Sequence, residues 1–163
     1  MPSITVENCV AALTKADMTL AFAESATAGR IASEISLVKE SGSILMGSIV
    51  CYNPIVKTDL LKVPQQLIDK HTAESAEVTK AMADGLKSVI QSDVQIAVTG
   101  LASPGGSESN NKPVGTMFIH IKTPTDEIAH REVFAGNPEE VVLQAVDRTC
   151  ELLMKSTNTL IEP

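Results

Sequence analysis

The sequence predicts an α/β protein, a three-layer α/β/α sandwich with a mixed sheet. Segments with apolar residues at helical spacing alternate with short, continuously apolar segments, which are typical of strands covered on both faces. Two further strand-like segments, "VGTMFIHIKT" and "EIAHREVFA", flank a turn at Pro124 and predict an antiparallel pair. A last amphipathic helix follows. This order of elements favours helices on both faces of one sheet.

The elements can be assigned in chain order. The first half is expected to contain a helix capped at Ser3 or Thr5 that ends near Asp17, a buried strand at 18–24, a helix from Thr27 and a buried strand at 44–52. Three helices should follow: a short one at 55–61 after Asn53 and Pro54, another from Pro64 to about His71, and one at 75–90. The last part should contain a buried strand at 94–100, the antiparallel strands at 114–123 and 127–135, and a helix from Pro138. A fraying tail is expected from about residue 156.

Composition indicates one domain over residues 1–163, because 163 residues with 44% hydrophobic content can bury a substantial core. The net charge of −7 and the absence of a Lys/Arg run argue against nucleic acid as a partner, although a small anionic ligand stays open. Only 2% of residues are aromatic, so a base-stacking platform is not expected.

Cysteine usage and the termini indicate a cytoplasmic protein. Cys9, Cys51 and Cys150 are odd in number and widely spaced, so we expect buried thiols in a reducing compartment. The N-terminus resembles no leader peptide, and no apolar segment approaches membrane-spanning length, so no membrane partner is expected. His71, His120 and His130 show neither metal-ligand spacing nor an obvious acidic partner, and no metal or cofactor is expected.

Polar residues follow three of the predicted strands. If these strands are parallel neighbours, then Ser25, Tyr52 and Thr99 converge at one sheet edge, with Lys57 a helical turn beyond Tyr52. A long Gly/Pro/Ser/Asn loop follows Thr99, and loops of this length are often functional.

Two interpretations of this cluster are open. In the first, Lys57 activates Ser25 for acyl transfer from an amide, and backbone N–H groups of the next helix face the oxyanion. In the second, Ser25 or Thr27 caps that helix, Tyr52 is a core residue with a solvated hydroxyl, and Lys57 is solvated. Glu24 either orients a catalytic group or accepts hydrogen bonds from loop amides, the latter being commoner.

Four motifs carry a family resemblance: "AESATAG", "CYNPIVK", "HTAESAEVTKAMADG" and "AVTGLASPGG" with "KPVGT" after it. Together, from about Val6 to Leu153, they resemble the C-terminal domain of the competence/damage-inducible protein CinA, the nicotinamide-nucleotide amidohydrolase family. The resemblance implies that family's fold, self-association, and hydrolysis of nicotinamide mononucleotide to nicotinate mononucleotide and ammonia without a cofactor.

The resemblance also implies roles for residues. Ser25 matches the family nucleophile, Tyr52 and Lys57 match a tyrosine and lysine five residues apart, and Thr99 matches the threonine of V-T-G. Lys57 would be the base, with Tyr52 and Thr99 positioning groups and proton transfers. The residues expected to bind the nucleotide substrate are Glu24, Thr27, Gly29, Arg30, Gly100, Gly105, Gly106 and Lys112.

The chain departs from the family pattern at several positions. Ala26 replaces a cysteine, Ala28 and Ser103 replace glycines, and Pro138 and Val142 replace two arginines. An arginine there would be expected to bind the substrate phosphate, with Arg30 and Lys112 as candidates to compensate. The alternatives left open are a competent deamidase, an amidohydrolase for a related amide, and a binding or regulatory protein without activity.

Overall fold

A computed structural model describes residues 1–161, with side chains in the last helix described through Thr157. The helices are α1 (Ile4–Lys15), α2 (Arg30–Ser36), α3 (Pro54–Asp59), α4 (Gln65–His71), α5 (Ala76–Leu86) and α6 (Pro138–Ile161), with one 3-10 turn at Ser41–Ser43. The strands are β1 (Leu20–Glu24), β2 (Leu45–Val50), β3 (Val94–Gly100), β4 (Thr116–Lys122) and β5 (Glu127–Val133).

The five strands form one mixed sheet in the order β2-β1-β3-β4-β5. Strand β1 pairs in parallel with both β2 and β3, and Glu24 at its end lies opposite Val50 and Val98. Strands β3, β4 and β5 pair antiparallel. The predicted parallel neighbours and antiparallel pair are therefore both confirmed, and the carboxyl ends of β1, β2 and β3 meet at one edge.

Apolar clusters cover both faces of the sheet. On one face, side chains of α1, α2 and α6 pack against strand residues such as Phe22 and Ile96. On the other face, α5 and the segment around Leu61 pack against Ala21, Ala23 and Ala97. A Cβ at Gly85 of α5 would lie 1.9 Å from the Leu61 carbonyl oxygen, so α5 can pack this closely only with glycine there. The three-layer α/β/α prediction is confirmed.

Strand β2 lies at the edge of the sheet and not, as predicted, between two covering layers. Its residues Met46 and Val50 are 55% and 48% exposed, and the strand ends at Val50 and not at Tyr52. The continuous apolar run of the sequence predicted a strand covered on both faces. The difference arises because one edge of β2 pairs with β1 and the other has no neighbouring strand in the described sheet.

Several helix boundaries also differ from the prediction: α5 ends at Leu86 and not near Ile90, and α3 ends at Asp59 and not at Leu61. Helix α2 begins at Arg30 and not Thr27, because Ala28 and Gly29 have left-handed φ angles of 48° and 91° that end a turn before the helix starts. Helix α6 continues to Ile161, past residue 156 where fraying was expected, and Ser156 and Thr157 are buried. The last two residues of the predicted tail lie outside the described residues.

Candidate active site

A cavity of about 210 Å³ lies at the edge where β1 and β3 end. Ser25 lines this cavity and follows β1 directly. Its N–H donates to the Val98 carbonyl at 2.9 Å, which extends the parallel pairing of β1 with β3 by one residue. The other lining residues come from the β1–α2 turn, from Tyr52 and Glu74, and from the loop after β3; they are Ala26, Gly100, Leu101, Ala102, Ser103, Pro104, Gly105 and Gly106.

Lys57 contacts Ser25 from helix α3. The Asn53 side chain accepts from the Ile55 N–H, and Pro54 occupies the first turn, so the predicted cap and helix start are confirmed. Lys57 is 1% exposed, and its Nζ lies 2.9 Å from Ser25 Oγ and 2.7 Å from the Cys51 carbonyl oxygen. The alternative in which Lys57 is solvated is therefore wrong.

The surroundings of Lys57 make its ammonium easier to deprotonate than that of a solvated lysine. Burial lowers the pKa of the Lys57 ammonium, an effect that Cys51 and Glu74 partly oppose. Burial also raises the pKa of the Cys51 thiol to about 11, so this sulfur stays protonated at neutral pH. The Cys51 Sγ points to the Glu24 carbonyl at 3.6 Å. Ser25, which lines the cavity, is therefore the better placed nucleophile of the two.

Glu24 holds the turn that carries Ser25. It is fully buried, and its carboxylate accepts from the Thr27 hydroxyl at 2.8 Å, the Ile31 and Ala32 N–H groups at 3.0 Å each, and the Ser48 hydroxyl at 3.0 Å. These contacts agree with the second role considered for Glu24, binding of backbone amides. They also correct the expectation that the first amides of α2 face the reacting centre, because Glu24 accepts from them.

Neither Ser25 nor Thr27 caps α2, so that alternative is also wrong. The N-cap residue is Gly29, which has no side chain to accept a hydrogen bond. The Glu24 carboxylate instead accepts from the Ile31 N–H in the first turn of α2. A Cβ on Gly29 would lie 3.2 Å from Val50 Cγ2 in addition to adopting the positive φ, so glycine suits this position.

Tyr52 is not a core residue. Its side chain is 66% exposed and lines the cavity as well as an adjoining groove. It follows Cys51, whose N–H donates to the Glu24 carbonyl at 2.8 Å, so the end of β2 brings Tyr52 to the mouth of the cavity. The expected role of Tyr52 in positioning groups stays a prediction.

Thr99 is fully buried at the end of β3, and its hydroxyl lies 2.8 Å from the Thr79 hydroxyl. Thr79 in turn donates to the Ser75 carbonyl at 2.6 Å, one turn earlier in α5. The structure thus joins Thr99 to α5, and its catalytic role stays a prediction. Thr79 was missed from the sequence, although it lies within the motif "HTAESAEVTKAMADG" that supports the family resemblance.

The loop after β3 is held by Lys112. Its Nζ donates to the hydroxyls of Thr72 at 2.5 Å and Ser107 at 2.7 Å, and to the Glu74 carbonyl at 2.8 Å. Ser107 also donates to the Glu74 carboxylate. Because Glu74 lines the cavity, this network fixes one cavity wall, and Glu74 is a further residue that the sequence interpretation missed.

An open groove of about 580 Å³ adjoins the cavity and shares Ala26, Tyr52, Ala102 and Ser103 with it. Of the predicted binding residues, the cavity is lined by Gly100, Gly105 and Gly106, and the groove by Thr27, Gly29 and Arg30. Pro138, Glu139 and Val142 from α6 form another part of the groove. Glu24 and Lys112 line neither space within the described chain, and their contact with substrate stays a prediction.

The remaining titratable groups lie apart from this site. The three cysteines are buried as predicted. The histidines do have acidic partners, contrary to expectation: His71 with Glu77, His120 with Glu127 and His130 with Glu132. The first two pairs depend on loop geometry and strand register, whereas His130 and Glu132 lie two residues apart on one face of β5, a spacing that the sequence interpretation missed. Among residues 1–161, no three His, Cys, Asp or Glu side chains converge as metal ligands would, and none of the helices is long and apolar enough to cross a membrane.

Comparison with known proteins supports the resemblance. A family model described as the CinA C-terminal domain matches residues 3–157, so the chain belongs to the CinA C-terminal domain family. A CinA-like protein of Desulfotalea psychrophila is 38% identical over 144 residues, which cover 88% of this chain and 35% of that protein. One from Geotalea uraniireducens is 39% identical over 140 residues, with coverages of 85% and 33%. The chain thus spans about a third of these relatives.

Solved structures show the same fold. The competence/damage inducible protein CihA of Agrobacterium tumefaciens is 26% identical, with a TM-score of 0.88 and coverage of 97% of this chain and 98% of that one. A CinA superfamily protein of Escherichia coli is 28% identical, with a TM-score of 0.85 and coverages of 95% and 94%. Each of these likenesses covers at least 95% of this chain.

Proposed function

We propose that this protein is an amidohydrolase in which Ser25 is the nucleophile and Lys57 the general base, acting on the carboxamide of nicotinamide mononucleotide or a close relative. The observation that carries the proposal is the 2.9 Å contact between Lys57 Nζ and Ser25 Oγ, with both side chains at most 5% exposed. Family membership and the cavity beside Ser25 support it.

The surroundings of Lys57 suit a base. Neutral Lys57 can donate one N–H to the Cys51 carbonyl and direct its lone pair at the Ser25 hydroxyl. The lowered pKa increases the neutral fraction near physiological pH, where an ordinary lysine is almost entirely charged. No histidine is required for this step.

The reaction would proceed in two halves. Lys57 takes the Ser25 proton as Oγ attacks the carboxamide carbon, and the protonated Lys57 returns that proton to the departing nitrogen, which leaves as ammonia. Water, deprotonated by Lys57, then attacks the Ser25 ester and releases the carboxylate and the free serine. Donors for the oxyanion would come from backbone amides of the cavity wall, around Ala26 and the loop after β3.

The test is ammonia release from millimolar nicotinamide mononucleotide by the purified chain and by Ser25→Ala. We expect release by the unmodified protein and loss of about 10³-fold or more in the variant, as for other serine nucleophiles. Circular dichroism would establish that both proteins are folded. Release that persists in Ser25→Ala would contradict the nucleophile assignment, and ligand binding without release would indicate a binding protein.

A further inference from the structure

The groove that continues from the Ser25 cavity has a charge pattern that bears on the substrate. The two spaces share four wall residues, so a carboxamide held at Ser25 extends its remaining part into the groove. Much of the groove wall is apolar, from Ala26, Ala28, Ala102, Pro138 and Val142. Among the described residues lining it, the charged side chains are Arg30 and Glu139.

Arg30 is already engaged by two carboxylates. Its Nε donates to Glu34 at 2.7 Å, and Glu34 is only 12% exposed, which holds the guanidinium along α2. Its NH1 lies 3.7 Å from Glu139, which reaches over from α6. These three side chains together carry a net charge of −1. Glu139 is 72% exposed, and a phosphate entering the groove would compete with it for the Arg30 guanidinium and meet its negative charge at close range.

The helix ends beside the groove offer no replacement for a cation. At the start of α6, Pro138 has no N–H to offer an anion. The neighbouring Asn137 and Glu140 form a reciprocal cap, in which the Asn137 N–H donates to the Glu140 carboxylate at 2.8 Å and the Glu140 N–H donates to Asn137 Oδ1 at 3.1 Å. At the start of α2, the Ile31 N–H donates to Glu24. Carboxylates of the chain thus occupy the positions that an anion would need.

We infer that this site selects a carboxamide whose groove-bound part carries no phosphate, the preferred class being a pyridinium carboxamide on an unphosphorylated ribose. The inference rests on the proposed function and narrows its substrate. A nucleoside of this class is a cation, which the net charge of −7 attracts, whereas the phosphate of the nucleotide is repelled by that charge and meets the Glu139 carboxylate in the groove. The apolar and hydroxyl-bearing wall suits a sugar without demanding an ionic contact.

The experiment compares kcat/KM for ammonia release from nicotinamide riboside and from nicotinamide mononucleotide at the same ionic strength. We expect the riboside to be favoured by about tenfold or more, the size of one missing charged contact. Equal values, or a preference for the mononucleotide, would overturn the inference while leaving the proposed function intact. Release from neither substrate by folded protein would instead contradict the proposed function.

Substitutions in the groove provide a second, independent test of the substrate preference. Val142→Arg places a guanidinium in the groove and should lower the riboside-to-mononucleotide ratio of kcat/KM by about tenfold. Glu139→Gln removes the competing carboxylate and should lower the same ratio by about a few-fold. Glu7→Gln, an exposed first-turn glutamate of α1, is the matched control and should leave the ratio unchanged. An unaltered ratio in both groove variants would overturn the inference.

Discussion

The Ser25 cavity and the adjoining groove contrast in how their charges are arranged. In the cavity, a lysine is buried beside a hydroxyl and its charge is disfavoured. In the groove, the Arg30 guanidinium forms ion pairs with the carboxylates of Glu34 and Glu139. The comparison teaches that a basic side chain can act as a proton acceptor where burial disfavours its charged form, and as an ion-pair partner where it stays solvated. If the proposed function holds, we expect substitutions at the cavity to change the rate for all substrates and substitutions in the groove to change the preference between substrates.

The largest effect is expected at the buried lysine. Lys57→Met keeps the length of the side chain but removes the base, so ammonia release should fall by about 10³-fold for every carboxamide tested, with the riboside-to-mononucleotide ratio no longer measurable. Steady-state assays would show this. Lys70→Met, an exposed lysine of α4, is the control and should retain full activity. A loss confined to one substrate would break the separation of cavity from groove.

The pH dependence sharpens the same contrast. In the proposed mechanism neutral Lys57 is the active form. Because burial lowers its pKa from the ordinary value of 10.5, we expect kcat/KM to rise about tenfold per pH unit up to a midpoint below 10.5 and then level off. The measurement is a pH–rate profile with the riboside. A midpoint at or above 10.5 would mean that the lysine is not desolvated during turnover.

A smaller loss of activity is expected from substitution of Lys112, which holds one wall of the cavity. Lys112→Met removes the two hydrogen bonds that tie the loop after β3 to Thr72 and Glu74, and a third to Ser107 within the loop, so we expect kcat/KM to fall by about tenfold for both substrates through looser positioning. The fully solvated Lys39→Met is its control. A change in kcat/KM for the mononucleotide alone would instead assign Lys112 to phosphate binding, as the sequence interpretation allowed.

The smallest effect is expected at the groove wall. Ala28 has a left-handed φ of 48°, so Ala28→Gly should stabilise the protein by about 0.5–1 kcal/mol. Urea denaturation would measure it. The same exchange at Ala11, which is helical in α1, should destabilise by about 1 kcal/mol, giving a control of opposite sign. Destabilisation by Ala28→Gly would show that the Ala28 methyl packs in the groove wall.

Much of the fold follows from local patterns, and the exceptions have a common cause. Helix starts at Asn53-Pro54 and Ser75 and the antiparallel pair after Gly115 depend on residues adjacent in sequence, and these predictions are confirmed. The edge position of β2 depends on which strands pair, which its apolar run does not encode. The late start of α2 depends on a carboxylate seven residues before Ile31.

The candidate site divides in the same way. Ser25 and Lys57 were predicted together because parallel strand ends meet at one edge, and the structure brings them into contact. Glu74, Thr79 and the pairing of Arg30 with Glu139 were not predicted. Each comes from a loop or helix whose placement depends on tertiary packing, so no periodicity in the sequence signals it.

Burial of Lys57 has a consequence for how this family changes over time. The pKa of Lys57 is lower in the folded chain than in the unfolded chain, where it is about 10.5. Between these two pKa values the unfolded chain binds more protons, so the free energy of unfolding decreases as pH falls. Methionine or leucine at this position would relieve that penalty, and in a lineage released from selection on activity such replacements would spread by drift. A lysine retained here in a diverged relative is thus a mark of continued selection for chemistry.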